Sequence, residues 1–150
     1  MPFYFAYGSN MDVAAMATRC PASRPVGPAK LMRHRFALMR EGYATVVRDP
    51  GHAVHGLLWD LALRDVARLD RYEDVDKGLY AKLYSAVMAA QGPRLALVYC
   101  GSNTGPGAAL PGYMEAVIAA GRTLALPAAY LAELEQHLPD RRAAALRRGG

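Results

Sequence analysis

At 150 residues, with 53% apolar and 21% charged side chains, the chain has the length and balance of one compact domain, without room for a second. That composition excludes disorder as the default state, and its apolar runs are broken by charge, as at Asp60 within residues 57–63, far short of the roughly 20 residues of a bilayer-spanning helix. The net charge of +5 raises nucleic-acid binding as a question, but much of it lies in residues 30–40 and in the tail Arg141, Arg142, Arg147 and Arg148.

Such a tail is more often a solvated helix end, since cations suit the carbonyl-rich terminus of a helix. A nucleic-acid accessory protein using Arg33, Arg35, Arg40 and the tail would instead show steeply salt-dependent binding. The expectation is no nucleic-acid and no membrane partner. Residues 1–10 place no basic segment ahead of an apolar stretch, so they do not read as an export signal, and the chain is expected in the cytoplasm. Cys20 and Cys100 are too few and too far apart for a disulfide framework and are expected as free thiols. The histidines His34, His52, His55 and His137 form no HExxH pair and the cysteines no CxxC, so no metal site is expected.

In chain order, the aromatic run at residues 3–7 predicts a strand. It ends at the turn formers Gly8, Ser9 and Asn10, and the Ala/Met-rich stretch 12–20 predicts a helix. Residues 31–39 and 44–47 read as strands around a turn at Glu41-Gly42, and residues 53–61 as a third after Asp49-Pro50-Gly51-His52; these are expected to pair antiparallel. Residues 63–72 set Leu63, Val66, Ala67, Leu69 and Asp70 at helical spacing, with Arg64, Asp65, Arg68 and Arg71 largely opposite. Residues 79–89 and 95–100 predict a hairpin turning at Gln91-Gly92-Pro93, followed by a loop rich in Gly, Pro, Ser and Asn over 101–111. Residues 113–121 and 127–138 predict helices, with Pro127 in a first turn, Pro139 as the stop and a fraying basic tail at 141–150. Strands scattered among helices of uneven length give neither a βαβ rhythm nor a repeat, so the single domain 1–150 is expected to be α+β.

Three groups of residues can carry chemistry. The turn Tyr7-Gly8-Ser9-Asn10-Met11 lies between a strand and a helix start, where free backbone N–H groups can hold an anion or an oxyanion; Ser9 or Asn10 capping the helix explains the same residues. Glu73, in Asp70-Arg71-Tyr72-Glu73-Asp74-Val75, is either a solvated carboxylate at a helix end or a proton carrier. Tyr80, Tyr99 and Tyr113 read as core tyrosines whose polar tips can also converge on a substrate.

The ordered set Tyr4-Phe5-Ala6-Tyr7-Gly8-Ser9-Asn10-Met11, Ala44-Thr45-Val46, Val54-His55-Gly56-Leu57-Leu58-Trp59, Leu69-Asp70-Arg71-Tyr72-Glu73-Asp74-Val75, Gly78-Leu79-Tyr80 and Pro111-Gly112-Tyr113 resembles the γ-glutamylcyclotransferase-like family over about residues 3–135. The resemblance implies an α+β fold with a small, mixed, partly barrel-like sheet flanked by helices, one cavity and no cofactor, and it is compatible with a homodimer. It implies Tyr7, Gly8, Ser9, Asn10 and Met11 as the turn that grips a glutamyl group, Glu73 as catalytic acid/base, and Tyr80, Tyr99 and Tyr113 as pocket tyrosines. The implied reaction is cyclisation of a γ-glutamyl amide to 5-oxoproline. Tyr72 stands where the family often has Gln or a small residue, which is expected to reshape the pocket mouth and to favour a γ-glutamyl-capped amine or biosynthetic intermediate over a free amino acid as leaving group. A non-catalytic module binding a small metabolite in the same turn is the remaining alternative.

Overall fold

The N-terminal aromatic run forms β1 (Phe3–Ala6), buried on both sides except at its first residue, in a computed structural model that describes residues 2–139. The expected basic tail at 141–150 lies outside the described residues. A 3₁₀ turn (Ser9–Met11) leads into α1 (Val13–Arg19), and then come β2 (Arg24–Leu38), β3 (Ala44–Asp60), α2 (Leu63–Tyr72), β4 (Tyr80–Ala89), β5 (Gly92–Gly101), α3 (Tyr113–Thr123) and α4 (Ala128–Glu135).

The strands close into a barrel in the order β1-β3-β2-β4-β5. β1 runs antiparallel to β3, with Phe5 opposite Leu58, and parallel to β5, with Tyr4 opposite Leu97, so the sheet is mixed. Phe5, Leu58, Trp59, Leu97 and Val98 on these strands are buried, each side chain contributing about 1.5–3 kcal/mol by leaving water. Gly56 permits the tight seam between β1 and β3, because a Cβ there would collide with the Ala6 carbonyl oxygen. The fold is α+β, as expected.

Four local expectations are corrected. The strands expected at 44–47 and 53–61 are one strand, β3, and Asp49 to His52 form an excursion within it opposite the single residue Arg33. The turn signal there is real but local: the Asp49 carboxylate accepts from Gly51 N–H at 3.1 Å, and Arg33 at φ 61° takes up the register change as a bulge that leaves the ladder intact on either side. β2 begins at Arg24, not near residue 31, with Pro25 and Gly27 absorbed at a second register shift. On α2, Leu63 is 72% exposed whereas Asp65 is 1% exposed, inverting the expected faces at its first turn. Asp65 is drawn inward because its Oδ2 accepts from Ala22 N–H at 3.0 Å and Ser23 Oγ at 2.8 Å in the α1–β2 connection. Pro127 sits at the N-cap of α4, just outside its first turn.

Candidate active site

β1 delivers Tyr7 and Gly8 to the mouth of the barrel, where the chain turns sharply. Within that turn Met11 N–H donates to the Gly8 carbonyl at 3.1 Å and Asp12 N–H to the Ser9 carbonyl at 3.2 Å. Asp12 caps α1, its carboxylate accepting from Ala15 N–H at 3.2 Å, so neither Ser9 nor Asn10 serves as that cap. Among the described residues, the N–H groups of Gly8, Ser9 and Asn10 donate no hydrogen bond. Asn10 is 2% exposed and holds the turn in place: its carbonyl accepts from Trp59 Nε1 at 3.1 Å and its Nδ2 donates to the Tyr4 hydroxyl at 3.1 Å. Gly8 lets the Tyr113 hydroxyl come close, since a Cβ there would sit 3.0 Å from it.

Across from this turn, α2 ends in a Schellman motif. Val75 N–H donates to the Asp70 carbonyl at 3.1 Å and Asp74 N–H to the Arg71 carbonyl at 3.2 Å, with Asp74 left-handed at φ 49°. Aspartate tolerates that conformation better than most residues. Glu73 is the C-cap inside this motif, so its backbone is fixed from both sides. Its carboxyl is raised from an ordinary 4.5 to about 7, chiefly because burial disfavours the charged form; Arg19 opposes the rise and Asp74 adds to it. The carbonyl-rich end of α2 acts in the same direction as burial.

The turn and Glu73 face each other across one cavity of about 140 Å³. Tyr7, Gly8, Ser9, Asn10, Glu73, Tyr80, Tyr99 and Tyr113 all line it, so the structure brings together every sequence-predicted site residue except Met11. Met11 is buried in the core below the turn, with its N–H engaged by Gly8. The phenols divide into two kinds. Tyr7 donates its O–H to the Tyr99 carbonyl, Tyr80 to the Ala44 carbonyl and Tyr99 to Asp70 Oδ1, so these three can offer the cavity only lone pairs. The Tyr113 oxygen instead accepts from Ala44 N–H at 3.1 Å, leaving its O–H free to donate. Burial raises the Tyr113 phenol to about 12 and pushes Tyr7, Tyr80 and Tyr99 up as well, so all four stay neutral near pH 7.

A family model described as gamma-glutamyl cyclotransferase, AIG2-like, matches residues 4–116, a span containing the turn, Glu73 and all four tyrosines. The chain belongs to this family. Mouse gamma-glutamylcyclotransferase is 26% identical over 148 residues, covering 91% of this chain and 79% of the mouse protein. The bovine gamma-glutamylcyclotransferase is 24% identical over the same length and coverage. A solved gamma-glutamyl cyclotransferase structure shares the fold with a TM-score of 0.85 at 23% identity, covering 93% of this chain and 89% of that one.

Within this family member, five wall residues were not singled out from sequence as site residues: Tyr4, Tyr43, Ala44, Asp74 and Leu79. Tyr4 and Asp74 sit inside the motifs that identify the family, and Tyr43 directly precedes Ala44-Thr45-Val46, so adjacency to a motif is the signal that was available. Tyr72 lies at the mouth as expected, 41% exposed, with its hydroxyl 2.9 Å from Ser9 Oγ. Among the described residues no three His, Cys, Asp or Glu side chains gather as a metal site, and no helix is long and apolar enough to cross a membrane.

Proposed function

We propose that this protein is a γ-glutamylcyclotransferase that closes a γ-glutamyl amide into 5-oxoproline and releases an amine or amino acid, with Glu73 moving the proton. The observation that carries the reading is a half-buried carboxyl raised to about 7 facing three unengaged backbone N–H groups across a single cavity.

In a γ-glutamyl amide the nucleophile and electrophile belong to one molecule, so the enzyme needs no nucleophile of its own. Holding the chain folded draws on an intramolecular advantage that reaches about 7–11 kcal/mol for ideal geometry, part of it already present in the free substrate. The α-ammonium must first lose a proton, and the Glu73 carboxylate accepts it. The free amine then attacks the γ-carbonyl carbon, forming the lactam C–N bond and placing negative charge on the carbonyl oxygen. The N–H groups of Gly8, Ser9 and Asn10, with the Tyr113 O–H, are the donors available to that oxyanion, each such donor being worth about 3–4 kcal/mol. Lone pairs of Tyr7 and Tyr80 suit the ammonium before it is deprotonated. Protonated Glu73 gives its proton to the departing nitrogen as the old C–N bond breaks, and the proton that the new ring nitrogen then sheds passes through the re-formed Glu73 carboxylate to the released amine, which leaves as an ammonium. Atoms balance without water, and no step calls on a cofactor. A small γ-glutamyl metabolite as the partner fits a cytoplasmic setting.

A narrower choice of leaving group follows from the walls. Among the described residues, Glu73 and Asp74 are the charged side chains lining the cavity, and no Lys or Arg joins them. A leaving group bearing its own carboxylate would find no counter-ion there, whereas a capped amine needs none, and Tyr72 and Tyr43 offer it aromatic faces.

The test is incubation of the purified protein with a panel of γ-glutamyl donors while 5-oxoproline is followed by mass. The reading expects 5-oxoproline from wild type, with γ-glutamyl amines ahead of γ-glutamyl amino acids. Binding without product would favour the non-catalytic module, and preference for simple γ-glutamyl amino acids would reject the narrower choice alone.

A further inference from the structure

Arg19, the last residue of α1, is not part of the cavity wall, yet it touches both of the elements that face each other across it. Its Nη1 donates to Asn10 Oδ1 at 2.6 Å, the shortest polar contact made by the N-terminal turn to a charged side chain. The same guanidinium lies over the Tyr72 ring, its Cζ 4.0 Å from the centroid, and the Tyr72 hydroxyl in turn meets Ser9 Oγ at 2.9 Å. Arg19, Asn10, Ser9 and Tyr72 therefore form a closed ring that joins the glycine turn to the end of α2, immediately beside Glu73. Only a planar, forked cation can bond one side chain in its plane while stacking a ring on its face, so lysine is not an equivalent here.

We propose that Arg19 is a positioning residue for the cyclisation, clasping the donor turn and the Glu73-bearing helix end in one register through Asn10 and Tyr72 while setting the charge that the glutamate feels. The inference rests on the cyclotransferase reading of this cavity. The groups facing Glu73 bear it out as an electrostatic arrangement. Tyr4 and Tyr7 from the β1 segment, Tyr80 from β4, Tyr99 from β5 and Tyr113 from α3 are neutral phenols, and the neighbouring Asp74 raises the Glu73 carboxyl further. Among the described residues, Arg19 is the cation that acts on it. The base form of Glu73 near neutral pH thus depends on a residue that never meets the substrate.

Two variants separate the charge from the clasp. Arg19→Gln keeps a side-chain donor for Asn10 but removes the cation, and Arg19→Lys keeps the cation but loses the fork and the stacked plane. The Glu73 carboxyl is titrated by ¹³C NMR in protein labelled at glutamate, its resonance assigned by its disappearance in Glu73→Gln, and kcat for 5-oxoproline release is profiled against pH on the same samples. The proposal expects the Glu73 midpoint to rise by about half a unit to one unit in Arg19→Gln and to stay near wild type in Arg19→Lys. It expects the high-pH plateau of kcat to fall about tenfold in Arg19→Lys, where geometry but not charge is lost. An unmoved midpoint in Arg19→Gln, or a wild-type plateau in Arg19→Lys, overturns it. Should Arg19→Gln not fold, the lysine variant alone decides, by a reduced plateau at an unshifted midpoint or by none. A midpoint that moves in a protein releasing no 5-oxoproline from any donor would sink the cyclotransferase reading instead, because the NMR titration needs no substrate.

Discussion

At its first turn α2 buries Asp65, which accepts from Ala22 N–H at 3.0 Å and Ser23 Oγ at 2.8 Å and has Arg68 3.9 Å away. At its last, Glu73 accepts no hydrogen bond among the described residues and opens onto the cavity beneath a cation that only partly offsets its burial. The two carboxyls are eight positions apart on one helix, yet the first ties the α1–β2 connection to the helix and the second holds a proton near neutral pH. Helix polarity reinforces the contrast, since a negative charge suits the N-terminal end and is disfavoured at the carbonyl-rich end. The structural carboxylate is the more deeply buried of the two and is supplied with donors, whereas the proton carrier is half-buried at the cavity and has none among the described residues.

The largest effect expected from breaking this contrast is on turnover. Glu73→Gln should lower kcat for 5-oxoproline release by about 10²–10⁴-fold, the range for losing a general acid/base, while the melting temperature holds or rises because a neutral amide is cheaper to bury. Steady-state kinetics beside a thermal melt check both halves.

Next comes stability against pH. Glu73 is raised from 4.5 to about 7, so between those values the folded protein binds more protons than the unfolded chain. Its contribution to stability is full below about pH 4.5 and is lost as pH rises through 7, a decline of up to about 3 kcal/mol. Urea denaturation across that window should show the decline in wild type relative to Glu73→Gln; parallel curves for the two proteins would refute it.

Asp65→Ala should act on the other member of the pair. Removing the acceptor shared by Ala22 and Ser23 is expected to cost about 2–3 kcal/mol in urea denaturation, with kcat of the folded fraction within about twofold of wild type. A fall in kcat comparable to that of Glu73→Gln would erase the distinction between the two ends.

The smallest effect sharpens the electrostatics. Asn tolerates the left-handed conformation of Asp74, so Asp74→Asn should leave the Schellman motif and the stability within about 0.5 kcal/mol, while lowering the Glu73 midpoint by a few tenths of a unit. NMR titration of Glu73 in that variant reads the shift directly, and an upward movement would contradict the assigned role of Asp74.

Much of this arrangement is legible in the sequence. The bounds of α2 coincide with the periodic stretch 63–72, and the aromatic run before Gly8-Ser9-Asn10 places β1 and its turn, because local pattern and tertiary demand agree there. Legibility fails where a distant partner overrides the local pattern. Asp65 reads as a surface residue until the donors of Ala22 and Ser23 reach it from another part of the chain. Asp49-Pro50-Gly51-His52 reads as a turn because nothing local reveals that the ladder resumes on the same strand beyond it. Nothing in the helical stretch 12–20 marks Arg19, and only tertiary contact gives it Asn10 and Tyr72. Met11 belongs to the turn by sequence adjacency but points its bulk into the core, since a buried 3₁₀ turn must anchor itself somewhere.

The central claim is that one carboxyl at the mouth of the barrel keeps its proton until near neutrality and then takes one from a folded-back glutamyl amine. Its most direct test is kcat for 5-oxoproline release from a γ-glutamyl amine, measured from about pH 5 to about pH 9. The account predicts an acid limb that rises through about 7 in wild type and is absent from the residual activity of Glu73→Gln. A limb near the ordinary carboxylate value of 4.5, or the same limb persisting in Glu73→Gln, would contradict it.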